Sequence, residues 1–183
     1  MILSIPLSLS FGWQTTLTAA ASEDRSCYEL LNGQEYLQPS TAVDPNQAHF
    51  AFAVVSPNRT NSLWKLMRAY PSCFYLCNVQ TGQYLMVAAN DRAYVVEKHQ
   101  LTSSSLPAFV FGPYYPNWPA SSEAHITNTL KQQLLCVSSE MDPITQQKLI
   151  GTSANSPGSE ATLGAACRWR LTAQTTCPSD ILC

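Results

Sequence analysis

The segment GPYYPNWPASS, which begins at Gly112, carries the residues of this sequence that are best suited to contact a ligand. Its three aromatic residues are Tyr114, Tyr115 and Trp118. Prolines between them stiffen the chain, so the rings can form a rigid ridge that stacks on a sugar ring or enters the cleft of another protein. The alternative is that this connection packs the same rings against the body of the domain.

The residue arrangements that usually perform catalysis do not occur in the sequence. It contains no G-x-S-x-G motif, no H-E-x-x-H motif and no glycine-rich phosphate loop. The three histidines, His49, His99 and His125, do not have the spacing of metal ligands and are better explained as structural residues. We therefore expect a protein that is not an enzyme and that needs neither a metal nor another cofactor.

Seven cysteines are a large number for a cytosolic chain of 183 residues, and none of them forms a C-x-x-C pair. This pattern favours disulfides in an oxidising compartment. Because seven is odd, one thiol is expected to remain free. Cys73 and Cys77 lie four residues apart and could bridge each other or pair elsewhere.

The amino terminus also indicates secretion. The apolar run MILSIPLSLSFGW is followed by small residues at Ala19 and Ala21, the pattern of a signal peptide over residues 1–21. The alternative is a first strand of the domain, and in either case the run is too short to span a membrane. Asn58 begins an Asn-Arg-Thr sequon, which predicts N-glycosylation of a surface loop.

The composition predicts one domain, over residues 22–183. Charged residues make up only 12% of the chain, and the net charge is -2. Since no basic stripe is present to neutralise a run of phosphates, nucleic acid is not an expected partner.

The stretch CFYLCNVQTGQYLMVA, residues 73–88, has the pattern of a β-hairpin. Large apolar residues alternate with smaller or polar ones on both sides of a turn. Similar hairpins occur at YELLNGQEYLQPS and AHITNTLKQQLLCVSS. The turn begins with asparagine in all three copies, at Asn32, Asn78 and Asn128. Asparagine tolerates the left-handed conformation that such turns require, so the three hairpins are copies of one unit.

Each unit ends with a short apolar segment: LWKL, AFVF or RWRL. In each segment an aromatic residue is followed two residues later by another apolar residue, so both side chains face the same side of a strand. We therefore expect Trp64, Phe109 and Trp169 to be buried together in one core.

Three such units with frequent turn signals and no helical period predict an all-β fold. The pattern resembles a β-trefoil, a three-fold pseudo-symmetric barrel of hairpin repeats, here at about residues 27–68, 73–112 and 124–172. Among β-trefoils, TGQYLMVA and LWKL resemble the G-x-Y-L hairpin and the Q-x-W strand of the ricin-B-type lectins.

The resemblance implies a sugar site in each repeat, where an Asp that follows the Tyr-Leu pair binds the sugar hydroxyls and the Gln of Q-x-W supports the wall. In this sequence the Asp positions hold Ser40, Ala88 and Ser138. The Gln positions hold Ser62, Pro107 and Cys167. Neither alanine nor a single hydroxyl replaces a carboxylate that accepts two hydrogen bonds, so we expect no galactose binding of the usual kind.

A displaced sugar site is one interpretation of AANDRAY in the second repeat. Asn90, Asp91 and Tyr94 lie just beyond the expected Asp position, and any glycan affinity should then depend on Tyr94 or on the aromatic ridge. The alternative is that these residues form an Asx turn. The similar set DPNQAH, which begins at Asp44, predicts a turn in the first repeat.

The three-fold arrangement also predicts disulfide partners. Because the first and last strands would be neighbours, Cys27 is expected to approach Cys177. Cys136 and Cys167, both in the third repeat, are a second candidate pair.

These observations favour a secreted, ricin-B-like lectin that binds a glycan or a glycoprotein without catalysis. The alternative is a β-trefoil protease inhibitor, or another protein-binding module that acts through surface loops. A third possibility is a trefoil whose sites have decayed and whose role is structural.

Overall fold

A computed structural model describes residues 27–113, 121–154, 164–174, 177–178 and 183. Within these residues the fold is almost entirely β, and every strand pairing is antiparallel. The predicted signal peptide and the ridge residues Tyr114, Tyr115 and Trp118 lie outside the described residues.

The strands fall into three groups along the chain. The first repeat contains β1 (Cys27–Asn32), β2 (Glu35–Asp44), β3 (Gln47–Ser56) and β4 (Leu63–Tyr70). The second contains β5 (Cys73–Asn78), β6 (Tyr84–Val87), β7 (Ala93–Val96) and β8 (Phe111–Gly112). The third contains β9 (Ser121–Ala124), β10 (Thr127–Asn128), β11 (Gln133–Met141), β12 (Lys148–Ala154) and β13 (Trp169–Gln174).

The helical segments are short. A single-turn helix α1 (Leu106–Phe109) precedes β8, and three-residue 3-10 helices occur at Lys98–Gln100 and Ala165–Cys167. Of the helices that the structure describes, none has the length to cross a membrane.

The pairing pattern repeats three times. The opening strand of each repeat pairs with the closing strand of its own repeat and with that of the preceding repeat. Thus β1 pairs with β4 and β13, and β5 pairs with β8 and β4. In the third repeat this strand is split, so that β10 pairs with β8 while β9 pairs with β13. These seven strands form a ring in which each step is a pairing, except the step from β9 to β10, which follow each other in the chain.

The remaining strands form one hairpin in each repeat, β2–β3, β6–β7 and β11–β12, and these three hairpins form a second three-fold layer. The strand β3 pairs with both β7 and β12, and a bridge between Arg92, the residue before β7, and Gly151 of β12 connects the other two hairpins. Each of these hairpins therefore contacts the other two, which brings the turns of one repeat beside the strands of the next.

Trp64, Trp169 and Phe111 are fully buried in one hydrophobic core. The prediction that Phe109 is the third member of this core is wrong. Phe109 is buried, but it lies at the end of α1 and packs in a second cluster with Phe52 and Tyr94. Pro107 lies in the first turn of α1, where proline is well tolerated, so AFVF begins as a helical turn and becomes a strand only at Phe111.

The turn asparagines show which residues are equivalent. The side-chain amides of Asn78, Asn128 and Asn32 donate to the carbonyls of Leu63, Val110 and Arg168. Each of these carbonyls belongs to the residue that precedes Trp64, Phe111 or Trp169. The amides of Asn78 and Asn128 also donate to the carbonyls of Asn61 and Ala108, which lie three residues before Trp64 and Phe111. The equivalent residues are therefore Trp64, Phe111 and Trp169, and the Gln position of the second repeat holds Phe109 rather than Pro107.

Three cysteine pairs are within bonding distance in the described part of the chain. Cys27 lies 5.3 Å from Cys177 between Cα atoms, and Cys136 lies 4.1 Å from Cys167. These are the two pairs expected from the sequence. A third bond joins Cys77 to Cys183, and Cys73 is free. Three disulfides point to an oxidising compartment.

Candidate functional site

The three positions where the ricin-B-type pattern has an Asp occupy different environments in the structure. Ser138 lines a cavity of about 400 Å³ in the third repeat. Ala88 lines a more open hollow in the second repeat. In the first repeat Ser40 is buried, and its hydroxyl donates to the carboxylate of Asp142. The equivalent position of the first repeat is therefore buried, and its hydroxyl already has a hydrogen-bond partner within the protein.

The cavity in the third repeat, called here the third-repeat pocket, lies between β11, β12 and the turn of the second repeat. Its polar side chains are Asn90, Asp91, Arg92, Ser138, Glu140, Thr152 and Ser153. One part of its wall is formed by Cys136 and Cys167, which are joined by a disulfide. Cys167 stands at the Gln position of Q-x-W, so a covalent bond replaces the supporting glutamine.

The turn of residues 88–92 is held firmly against β12. Asp91 has a left-handed backbone, with φ of 62°, and its carbonyl accepts a hydrogen bond of 2.7 Å from the Thr152 amide. Gly151 allows this contact, because a Cβ atom there would lie 2.8 Å from the Asp91 carbonyl oxygen. The site is therefore built on fixed backbone.

Two ion pairs place opposite charges at the pocket. Lys131 lies 2.9 Å from an Asp91 carboxylate oxygen, and the Asp91 side chain remains 49% exposed. Arg92 lies 2.8 Å from Glu140, and both of these side chains are also partly exposed. A carboxylate can accept several hydrogen bonds at once, so an ion pair with lysine does not exhaust Asp91 as an acceptor.

Tyr94 does not belong to the exposed site. Its ring is fully buried and stacks near Phe52, and its hydroxyl donates to Asp44 at 2.6 Å. Asn90 in turn donates to the Tyr94 hydroxyl at 2.9 Å. A buried ring cannot stack on a sugar, so the proposed role of Tyr94 in stacking is wrong. Its hydroxyl instead helps to position Asn90.

Of the six candidate ligand-binding residues, the structure brings Asn90 and Asp91 together at the pocket. Their turn also has Asx geometry, since the Asn90 side chain accepts from the Arg92 amide, so the two interpretations of AANDRAY are compatible. Sequence reasoning missed Arg92, Glu140 and Thr152 at this pocket. Arg92 could have been predicted because it directly follows Asp91 in the sequence. Glu140 and Thr152 could not, because they belong to the hairpin of the third repeat, far away in the chain.

Two further residue predictions concern Asn58 and the histidines. Asn58 is exposed and accepts hydrogen bonds from Thr60, so the sequon lies at the surface, and its glycosylation stays a prediction. Among the residues that the structure describes, His, Cys, Asp and Glu form no group of three that could hold a metal.

Two buried carboxylates fix the turns of the first and third repeats. The hydrogen bond from Tyr94, assisted by the Asn46 amide, lowers the pKa of Asp44. Burial by itself would raise the pKa of Asp142, but hydrogen bonds from Ser40 and from residues 144–145 outweigh that effect and lower the pKa. Both carboxyls are therefore held in the ionised form.

These lowered pKa values predict acid destabilisation. The carboxylates of Asp44 and Asp142 stabilise the fold fully above the unfolded-state pKa of about 3.9, and this stabilisation is lost as the pH falls through the lower folded-state values. The free energy of unfolding, measured by urea denaturation, should therefore decrease steeply below about pH 4. Asp44→Asn should flatten this decrease, whereas replacement of the exposed Glu123 by Gln should not. An equal pH dependence in both variants would contradict the prediction.

The sequence matches no protein-family model, and a search of curated proteins found no match. Solved structures with the same fold were found. A salivary protein of Culex quinquefasciatus from the cysteine- and tryptophan-rich family is 16% identical, with a TM-score of 0.59, and the match covers 84% of this chain and 96% of that one. The designed three-fold symmetric protein ThreeFoil is 14% identical, with a TM-score of 0.54 over 80% of this chain and 97% of its own.

A lectin of Polyporus squamosus, solved with a bound sialylated trisaccharide, is 10% identical and has a TM-score of 0.52. The match covers 80% of this chain and 48% of the lectin. Identities this low show the fold alone. Together with the pairing pattern, they confirm the prediction of an all-β, β-trefoil fold.

Proposed function

We propose that this protein is a secreted, non-catalytic, carbohydrate-binding β-trefoil whose glycan site is the third-repeat pocket. The observation that carries the proposal is the position of this cavity, which has Ser138 where the ricin-B-type pattern has its Asp. The carboxylate that a sugar site needs comes instead from Asp91, on the turn of the neighbouring repeat. The binding groups are therefore displaced from the usual galactose pocket, and the cavity lies in the third repeat, whereas AANDRAY suggested a displaced site in the second.

The chemistry of the pocket suits a polyhydroxylated ligand. Each sugar hydroxyl both donates and accepts hydrogen bonds, so it needs acceptors and donors at short range. Asp91 and Glu140 provide acceptors, and Arg92 provides a planar set of donors. Because the turn is held by the contact between Asp91 and Thr152, little conformational freedom is lost on binding.

The similarity to the Polyporus squamosus lectin supports this function through the shared fold. The three disulfides support export from the reducing cytosol. The expected partners are then free glycans or the glycans of glycoproteins outside the cell.

A glycan array, followed by calorimetry with the methyl glycosides of galactose, glucose, mannose and N-acetylglucosamine, tests the proposal. We expect Asp91→Asn to weaken binding of the recognised sugar by about tenfold or more, because a hydrogen bond to a charged acceptor is worth roughly 1.5–3 kcal/mol. Glu35→Gln is the matched control. Its carboxylate forms an ion pair with Lys148 at the same distance of 2.9 Å, but Glu35 does not line the pocket.

A second variant tests the position of the turn rather than its charge. Gly151→Ala introduces a Cβ atom against the Asp91 carbonyl, so it should shift the turn and weaken the same sugar while the carboxylate remains present. The proposal would be contradicted if glycans bound equally well to the wild type, to Asp91→Asn and to Gly151→Ala. It would also be contradicted if no glycan bound at all.

A further inference from the structure

A second concavity adjoins the third-repeat pocket. This apolar hollow has a volume of about 620 Å³ and is lined by residues 86–89, Ala108 and Leu130, together with Gln47 and Lys131. Most of these side chains are apolar, and Leu130 is 54% exposed. The hollow therefore presents an accessible apolar surface beside a polar cavity.

The hollow and the pocket share one wall, which is the turn of residues 88–92. Ala88 and Ala89 face the hollow, while Asn90, Asp91 and Arg92 face the pocket. Ala89 and Asp91 are two residues apart, so their Cα atoms are separated by no more than about 7 Å. One small ligand is long enough to contact both sides of this turn.

Lys131 lies at the boundary between the two spaces. Its ammonium lies 2.9 Å from the Asp91 carboxylate and donates to the Ala89 carbonyl at 3.1 Å. Its charge is thus neutralised from the pocket side, and its aliphatic chain contributes to the lining of the hollow. The Asp91 carboxylate therefore faces the pocket, and the aliphatic chain of Lys131 faces the hollow.

A second sugar ring is poorly matched to the hollow. Sugar hydroxyls that leave water need new hydrogen-bond partners, and burying them against apolar carbon is unfavourable. Ala88 stands where the ricin-B-type pattern would supply a carboxylate, so the hollow lacks the acceptor that the second repeat would need for a sugar of its own.

We infer that the preferred ligand is a glycoconjugate whose sugar occupies the third-repeat pocket and whose adjoining apolar group, such as a lipid or an aryl aglycone, occupies the apolar hollow. This inference rests on the proposed function. It predicts that the group attached to the sugar contributes to affinity, because each methylene group moved from water into apolar surroundings strengthens binding by up to about fourfold.

The test compares methyl and octyl glycosides of galactose, glucose, mannose and N-acetylglucosamine by calorimetry, below the concentration at which the octyl glycosides form micelles. For the sugar that binds as its methyl glycoside, the octyl glycoside should bind at least tenfold more tightly. Leu130→Ser should remove most of this ratio. Ile144→Ser is the matched control, since Ile144 is an exposed aliphatic residue, 71% accessible, that lines neither concavity.

Three results would overturn the inference while leaving the proposed function intact. The methyl and octyl glycosides could bind equally, Leu130→Ser could behave like Ile144→Ser, or all four octyl glycosides could bind alike and independently of Asp91. The last result would mean that the alkyl chain binds without the sugar. Binding of no glycoside, with no array signal sensitive to Asp91→Asn, would instead overturn the proposed function and this inference with it.

Discussion

Replacing Trp64 by alanine should lower the free energy of unfolding by about 3–5 kcal/mol, measured by urea denaturation. Trp64 is fully buried in the core that it shares with Trp169, and its indole nitrogen donates to the Leu37 carbonyl at 2.9 Å. Alanine removes the packing of two fused rings and leaves a cavity. It also removes a donor from a buried carbonyl.

Trp64→Phe separates these contributions. Phenylalanine occupies the equivalent position of the second repeat, at Phe111, so the fold accepts a single ring at this site. The variant should cost only about 1–3 kcal/mol, for the lost hydrogen bond and a smaller loss of packing. Tyr70→Ala, at a position 55% exposed, should change stability by less than about 0.5 kcal/mol.

The prediction also concerns the symmetry of the fold. Trp169 donates to the Leu135 carbonyl at 2.8 Å, in the same way that Trp64 donates to Leu37. Trp169→Phe should therefore cost about as much as Trp64→Phe. A Trp64→Ala variant as stable as the wild type, or a large difference between the two Phe variants, would show that these residues are not equivalent members of one core.

The fold could be predicted because its strongest signals are local in the sequence. Each turn asparagine sits between two alternating strands. The side chains of Asn78 and Asn128 also accept hydrogen bonds from amides of their own turns, as Asn78 does from Gln80 and Thr81. The closing segments LWKL and RWRL also carry an unambiguous tryptophan. These patterns repeat whatever the intervening loops contain.

The register of the second repeat could not be predicted, because AFVF offers two phenylalanines with the same strand alternation. What distinguishes Phe111 from Phe109 is the contact of Asn128 with the Val110 carbonyl, 18 residues away in the chain. Burial alone does not separate them either, since both rings are buried, in different clusters. The long-range hydrogen bond, the pairing of Asn128 with Phe111 and the core shared with the tryptophans identify the equivalent residue.

The error at Tyr94 has a different physical cause. The strand β7 is buried on both faces, with Ala93 and Val95 in the main core and Tyr94 and Val96 in the second cluster. A polar turn directly before a tyrosine indicates an exposed aromatic ring only if one face of the strand meets solvent. The sequence does not show that a second core covers this face.

For a similar reason, only one side of the third-repeat pocket could be predicted from the sequence. Asn90 and Asp91 form a polar turn that can be read locally, but the opposite wall comes from β11 and β12. Those strands reach the turn through the bridge between Arg92 and Gly151, which joins two repeats. A site between two repeats can be predicted only when it is known which hairpin contacts which turn.

Removing the bond between Cys27 and Cys177 should destabilise the protein more than removing the bond between Cys136 and Cys167. The first closes a separation of 150 residues and the second a separation of 31. Because a cross-link restricts the unfolded chain in proportion to the logarithm of the loop length, the expected losses are roughly 5 and 3.5 kcal/mol. Double Cys→Ala variants, compared by urea denaturation under oxidising conditions, measure both.

For glycan binding the order should be reversed: removing the bond between Cys136 and Cys167 should have the larger effect. Cys136 and Cys167 form part of the wall of the third-repeat pocket, whereas Cys27 opens β1 opposite Gln174 of β13 and lines neither concavity. The Cys136→Ala/Cys167→Ala variant should therefore weaken sugar binding even under conditions where it remains folded. The Cys27→Ala/Cys177→Ala variant should bind normally until it unfolds. A greater loss of stability on removing the bond between Cys136 and Cys167 would show that the constraint on the unfolded chain is not the dominant effect. Equal glycan affinities of the two variants would show that the sugar does not contact the wall formed by Cys136 and Cys167.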